Sequence, residues 1–193
     1  YATSYSHNNT ITDSAAAGTA LSTGHKTNNS ALGVNADGAP VTSVAQELHD
    51  LGYGIAIATS VDPDDATPGA FYAHVPKRNM YYDVAKGMAR SGYDMFVRAR
   101  LRGKAPEGEK DVKTILTEAG YTIANGPEGY NANKDKNKLV LLNTTETIDH
   151  IGYAIDSIAE NLSLPFITRA CLEHQLKVSP KRFFIMVEGG LID

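Results

Sequence analysis

Two short and almost unbroken apolar runs constrain this chain most: Gly54-Ile55-Ala56-Ile57-Ala58-Thr59 and Phe183-Phe184-Ile185-Met186-Val187. Runs of this length without polar alternation suit strands buried on both faces, the usual state of strands in a parallel sheet. Helical patterns stand before each of them. Val44, Ala45, Leu48 and Leu51 recur at helical spacing within 42–51, and Gly52 stops that pattern. Ser163 can cap a helix through Lys177 with Leu164, Ile167, Ala170, Cys171 and Leu176 inward, and Pro180 ends it. Further helices are predicted from Pro68 to Val75 and over 81–90 and 111–119, with strands over 93–97, 121–124 and 138–142. Residues 144–162 read as an irregular segment with helical turns. This alternation predicts an α/β layered fold: a mostly parallel central sheet with helices on both faces. There is no repeat, linker or low-complexity tract, so residues 1–193 read as a single α/β domain.

The stretch Thr12-Asp13-Ser14-Ala15-Ala16-Ala17-Gly18-Thr19-Ala20-Leu21-Ser22-Thr23-Gly24 predicts another helix, because small Ala-rich runs lose little side-chain entropy. Asp13 or Ser14 can cap its first turn, and Gly24 suits the position just past its end. A Ser hydroxyl then lies beside free backbone N–H groups and the positive end of the helix dipole, a place that receives phosphate. Taken locally, the stretch is better explained as an ordinary capped, close-packed helix.

Two other segments carry chemistry-bearing residues. In Asp65-Ala66-Thr67-Pro68-Gly69-Ala70-Phe71-Tyr72-Ala73-His74-Val75-Pro76-Lys77-Arg78 an acidic loop precedes a capped turn and ends at an arginine. A guanidinium is a planar fork of donors that matches two phosphate oxygens, and magnesium takes hard oxygen ligands such as hydroxyl and carboxylate. Glu188 and Asp193 follow the strand ending at Val187, where open α/β sheets bind ligands. By themselves these are also a helix cap and two solvated acids.

Together the three segments resemble the motifs of the alkaline phosphatase family, in that family's order. TDSAAAGTALSTGHKTNNSALGV is similar to its nucleophile segment, DATPGAFYAHVPKR to its second motif and FFIMVEGGLID to its metal motif. The resemblance implies that Ser14 is the nucleophile, phosphorylated during turnover, and that it also faces zinc. It implies that Arg78 grips the substrate phosphate and that Asp13 orients Arg78 through an ion pair. It assigns Thr67 and Glu188 to magnesium, Asp65 to magnesium through water, and Asp193 to zinc. His74 has no ligand role in the resemblance and reads as structural. The implied cofactors are two zinc ions and one magnesium ion per site. The implied reaction is hydrolysis of phosphate monoesters, with inorganic phosphate as product, in a periplasmic or secreted protein that can form a homodimer.

The chain departs from the family's pattern in two respects. Val97-Arg98-Ala99-Arg100-Leu101-Arg102-Gly103 replaces a Gly-rich turn and reads as a solvated basic loop. The family's remaining ligands, an Asp upstream of Ser14 and several His and Asp downstream of Asp193, have no counterpart. His7, His25, His49, His74, His150 and His174 match no zinc position. The sequence therefore reads as an excised piece of a longer protein, inactive by itself.

Composition excludes little more. Eighteen basic against 22 acidic residues leave a net charge of −4, which makes no case for nucleic acid. Cys171 is the only cysteine, so no intrachain disulfide forms, and no apolar run reaches the length of a membrane span. Two rival functions fit the scaffold: a related phosphodiesterase or sulfatase-like hydrolase, and a non-catalytic anion-binding module. Sulfatases need Pro two residues and Arg four residues beyond the nucleophile, where Ala16 and Gly18 stand. The intact set Ser14, Thr67, Arg78, Glu188 and Asp193 opposes the second.

Overall fold

The computed structural model describes residues 3–61, 66–145, 150–151 and 161–190. The chain order is α1 (Ser14–Thr23), α2 (Val44–Asp50), β1 (Gly54–Thr59), α3 (Ala66–Gly69), α4 (Tyr81–Ser91), β2 (Met95–Val97), α5 (Val112–Glu118), β3 (Thr122–Asn125), α6 (Gly126–Asn133), β4 (Leu139–Leu142), α7 (Leu164–Val178) and β5 (Phe183–Glu188). The five strands form one sheet in the order β3-β4-β2-β1-β5, and every pairing is parallel. The layered α/β expectation is met.

Each inner strand buries both faces, so its side chains divide between two cores. Ile55 and Ile57 of β1, Phe96 of β2, and Val140 and Leu142 of β4 pack with Ala45, Val84, Met88 and Leu116 from α2, α4 and α5. Ala56, Ala58, Met95, Val97, Leu139 and Leu141 face the other way, against Tyr130 of α6 and Ile167, Ala170 and Cys171 of α7. The period of two along the strand sends alternate residues to opposite helix layers. That is why these runs are apolar up to Thr59, the last residue of β1.

Several expectations are corrected. The helix expected from Pro68 to Val75 is only the single turn of α3; the chain then turns, and Val75 pairs with Leu32 in an isolated bridge. α6 was not anticipated, because Gly126, Pro127 and Gly129 read as loop residues; Pro127 in the first turn instead starts the helix. Leu176 is 51% exposed. The inward positions of the last turns of α7 are His174 and Gln175, both buried. Arg98 is 2% exposed and not part of a solvated loop: its guanidinium donates to Tyr72 Oη at 3.0 Å and to Met88 Sδ at 2.7 Å. Most of the segment expected to be irregular, including 152–160, lies outside the described residues.

His174 adds a pH-sensitive element at the N-terminal edge of the sheet. Its Nε2 lies 3.2 Å from the Asn137 carbonyl, so the hydrogen-bond network assigns the proton to Nε2, and the buried Nδ1 has no hydrogen-bond partner. Burial pushes its imidazole below the ordinary value; the Asp94 carboxylate opposes that shift and Lys177 adds to it. The folded state therefore takes up the proton at lower pH than the unfolded state. Stability is full above the unfolded value of about 6.5 and is lost as pH falls toward the folded value. Thermal melts should show a declining Tm below about pH 6.5, and His174→Leu should flatten that slope relative to the other histidines' contribution.

Candidate functional site

The site is built from the first turn of α1 outward. Asp13 is its N-cap, in extended conformation, and its Oδ1 accepts from Ala16 N–H at 2.9 Å. Ser14 is thus the first helical residue, and it is exposed. Gly24, at φ 75°, closes the helix with its N–H on Ala20 O. The amphiphilic signal in α1 is weak because its buried residues are small: Ala15, Ala16, Gly18, Thr19 and Ser22. Small residues let neighbouring backbone approach. A Cβ on Gly18 would lie 3.0 Å from Thr67 Cα, and Ser22 Oγ donates to Ala70 O at 2.9 Å. α1 therefore rests directly on α3, with Gly18 over Thr67.

The segment after α1 turns back and clamps its start. Asn29 Oδ1 accepts from Asp13 N–H at 3.2 Å, and Asp13 Oδ2 accepts from Ser30 N–H at 2.7 Å. The Ser30 carbonyl accepts in turn from the backbone N–H of Arg78 at 2.6 Å. Thr19 Oγ1 fixes the same segment by accepting from Gly33 N–H at 3.0 Å. Leu32 and Val75 exchange two backbone hydrogen bonds of 2.9 Å, which lays this segment against the Arg78 loop. Gly33, at φ 59°, is obligatory there: a Cβ would meet Ala73 O at 2.1 Å. His74 is exposed and its Nδ1 sits 2.6 Å from Gly33 O, in keeping with a structural role.

One expected contact takes another form. The Asp13 carboxylate is occupied by two backbone N–H groups, and no Asp13–Arg78 ion pair occurs among the described residues. The two residues are joined through the backbone of Ser30 instead. Ser30 has φ 74°, the one positive value among described residues other than glycine. A side chain in that region costs about 1–2 kcal/mol.

Glu188 sits at the end of β5 and not in the loop beyond it, in register with Thr59 of β1. Thr59 Oγ1 donates to Glu188 Oε2 at 2.6 Å, and Gly190 N–H donates to Ser60 Oγ at 2.8 Å. The C-terminal ends of two adjacent parallel strands thus fix the carboxylate. α3, with the half-buried Thr67, packs against both strands. Ser30, Thr59 and Ser60 were not singled out from the sequence; only a residue before a strand end, paired across the sheet with Glu188, could have drawn attention to Thr59. Asp65 and Asp193 lie outside the described residues.

Thr67 and Glu188 are hard oxygen donors of the kind magnesium takes, and they lie on elements in contact. No group of three or more His, Cys, Asp and Glu side chains that could hold a metal ion occurs among the described residues. No helix among them is long and apolar enough to cross a membrane.

A family model described as alkaline phosphatase matches residues 1–104. Alkaline phosphatase 4 of Bacillus subtilis (strain 168) is 33% identical over 192 residues, which is 95% of this chain and 40% of that protein. The cold-active alkaline phosphatase from the psychrophile Shewanella sp. superposes with a TM-score of 0.84 at 26% identity, covering 100% of this chain and 46% of its own. The alkaline phosphatase of the Antarctic bacterium TAB5 gives 0.82 at 28%, covering 96% and 54%. A variant of the TAB5 enzyme, described with Mg bound in its M3 site, gives 0.80 at 26%, covering 96% and 53%. The chain spans less than half the length of the Bacillus relative.

The contact of α1 with α3 can be tested by volume. Gly18→Val should lower stability by about 1–3 kcal/mol through overpacking against Thr67, whereas Ala17→Val, at an exposed position, should cost only a few tenths. Chemical denaturation of the two variants checks this.

Proposed function

Because the chain belongs to the alkaline phosphatase family, we propose that the protein it forms part of hydrolyses phosphate monoesters through a phosphoserine on Ser14. The observation that carries the reading is the Asp13–Ser30–Arg78 chain of hydrogen bonds. It ties the exposed hydroxyl at the start of α1 to the loop that bears the arginine.

In this reading the Arg78 guanidinium holds two oxygens of the substrate phosphate, and the free N–H groups and dipole at the start of α1 face the same group. Ser14 Oγ attacks phosphorus as the bond from phosphorus to the ester oxygen breaks, and the serine proton, passed through solvent, ends on that oxygen, which departs as the alcohol. Water then attacks the phosphoserine, the Ser14 Oγ–P bond breaks, and inorganic phosphate is released. Arg78 and the α1 N–H groups stabilise the charge on the transferring phosphoryl group in both halves. Thr67 and Glu188 would hold magnesium, with Asp65 through water, and the ion would supply positive charge to a site that binds an anion. Ser14 and Asp193 are the zinc donors assigned in this chain, and no step is derived from zinc. Residence in the periplasm or outside the cell belongs to the same reading.

The test uses the full-length protein supplied with zinc and magnesium. It should hydrolyse an aryl phosphate at alkaline pH. Ser14→Ala should abolish the phosphoserine and most of the rate. Arg78→Ala should weaken phosphate binding by about 10- to 100-fold, from charged hydrogen bonds worth about 1.5–3 kcal/mol. Residues 1–193 alone should show negligible turnover. A metal-loaded full-length protein without phosphomonoesterase activity would favour one of the two rival readings, a related phosphodiesterase or sulfatase-like hydrolase or an anion-binding module.

A further inference from the structure

We propose that Ser30 is a positioning residue for phosphate binding, acting through its left-handed backbone and not through its hydroxyl; the proposal rests on the function proposed above. Its N–H and its carbonyl serve two different site residues. The N–H donates to Asp13 Oδ2 at 2.7 Å and the carbonyl accepts from Arg78 N–H at 2.6 Å. Asp13 is also the cap that fixes where α1, and hence Ser14, begins. The angle between the two bonds is set by φ and ψ of Ser30 alone.

Two observations make that angle specific. Ser30 keeps φ 74° although a Cβ disfavours it, and a strained non-glycine conformation persists only where its surroundings over-determine it. Those surroundings are visible on both sides. Asn29 is held by Asn8 Oδ1 through its N–H at 2.9 Å, and it binds Ile11 O through Nδ2 at 3.0 Å. Ala31 O accepts from Thr19 Oγ1 at 3.3 Å, and Leu32 is locked to Val75. Among the described residues, no bond from Ser30 Oγ accompanies these backbone bonds. An extended or right-handed residue at this position would turn either the N–H from Asp13 or the carbonyl from Arg78. The nucleophile and the phosphate clamp would then lose their common reference.

The experiment compares Ser30→Gly, Ser30→Asn and Ser30→Val in the full-length, metal-loaded protein. Inorganic phosphate inhibition and KM for an aryl phosphate serve as readouts. Gly and Asn adopt the left-handed region readily, and a β-branched residue resists it. Ser30→Gly and Ser30→Asn should keep phosphate affinity within about twofold, and Ser30→Val should weaken it on the order of tenfold, with a smaller change in kcat. The same Ser30→Val change in an Arg78→Ala background should weaken phosphate binding by clearly less than in the wild-type background, because part of the effect passes through Arg78 and the rest through Asp13. Equal losses in both backgrounds would overturn the proposal. So would a Ser30→Gly or Ser30→Asn protein that folds but loses phosphate affinity, since that assigns the role to the hydroxyl. These two variants decide the matter even where Ser30→Val fails to fold. A wild-type protein that binds no phosphate overturns the functional reading first and this proposal with it, whereas a phosphate-binding wild type with an unaffected Ser30→Val overturns this proposal alone.

Discussion

The parallel pairing of β1 with β2 on one side and β5 on the other is the constraint from which the rest follows. A strand paired on both edges and covered on both faces is buried throughout, and Gly54–Thr59 is, with its one polar residue, Thr59, at the C-terminal end where it meets Glu188. Ile55 and Ile57 reach one helix layer while Ala56 and Ala58 let α7 approach on the other. Parallel pairing also collects all strand C-termini at one end. Thr59 and Glu188 become neighbours there only because the register aligns them, 129 residues apart in sequence.

Beyond that end, the site is held by backbone more than by side-chain pairing. Asp13, Ser30 and Arg78 meet through main-chain N–H and carbonyl groups. Leu32 and Val75 form a bridge of two backbone bonds. Such bonds fix the chain that carries the arginine at Arg78 N, independently of what its side chain contacts.

Much of this was legible in the sequence, and the misses have physical causes. The apolar runs gave the strands and the layering, because burial on two faces leaves no room for a polar residue. The start and stop of α1 followed from Asp13 and Gly24, whose capping is a local property. Helix α6 was missed because Gly and Pro read as breakers, although Pro127 sits in a first turn where no N–H is required. The expected helix to Val75 failed because Val75 finds a partner in Leu32, 43 residues earlier, which no local pattern shows. Ser30 was illegible for a related reason. Its strained φ is imposed by neighbours and not by its own preference. The Asp13–Arg78 contact was expected as an ion pair from the family resemblance, and the carboxylate instead accepts from two backbone donors.

Arg98 shows the same limit from the side of charge. Three arginines in seven residues suggest a basic surface, yet the first lies at the C-terminal end of β2, where the Arg98 N–H continues the ladder to Leu141 O at 3.0 Å. The ladder fixes the direction of the side chain, inward. Its guanidinium must then find acceptors inside, and it finds the Tyr72 hydroxyl and the Met88 sulfur. Both acceptors are neutral groups, and they hold the guanidinium against the segment that runs from α3 toward Arg78. Backbone register decided where that charge lies, just as it decided the place of Glu188. In both cases the chemistry of the residue could be read from the sequence, and its position could be read only from the strand that carries it.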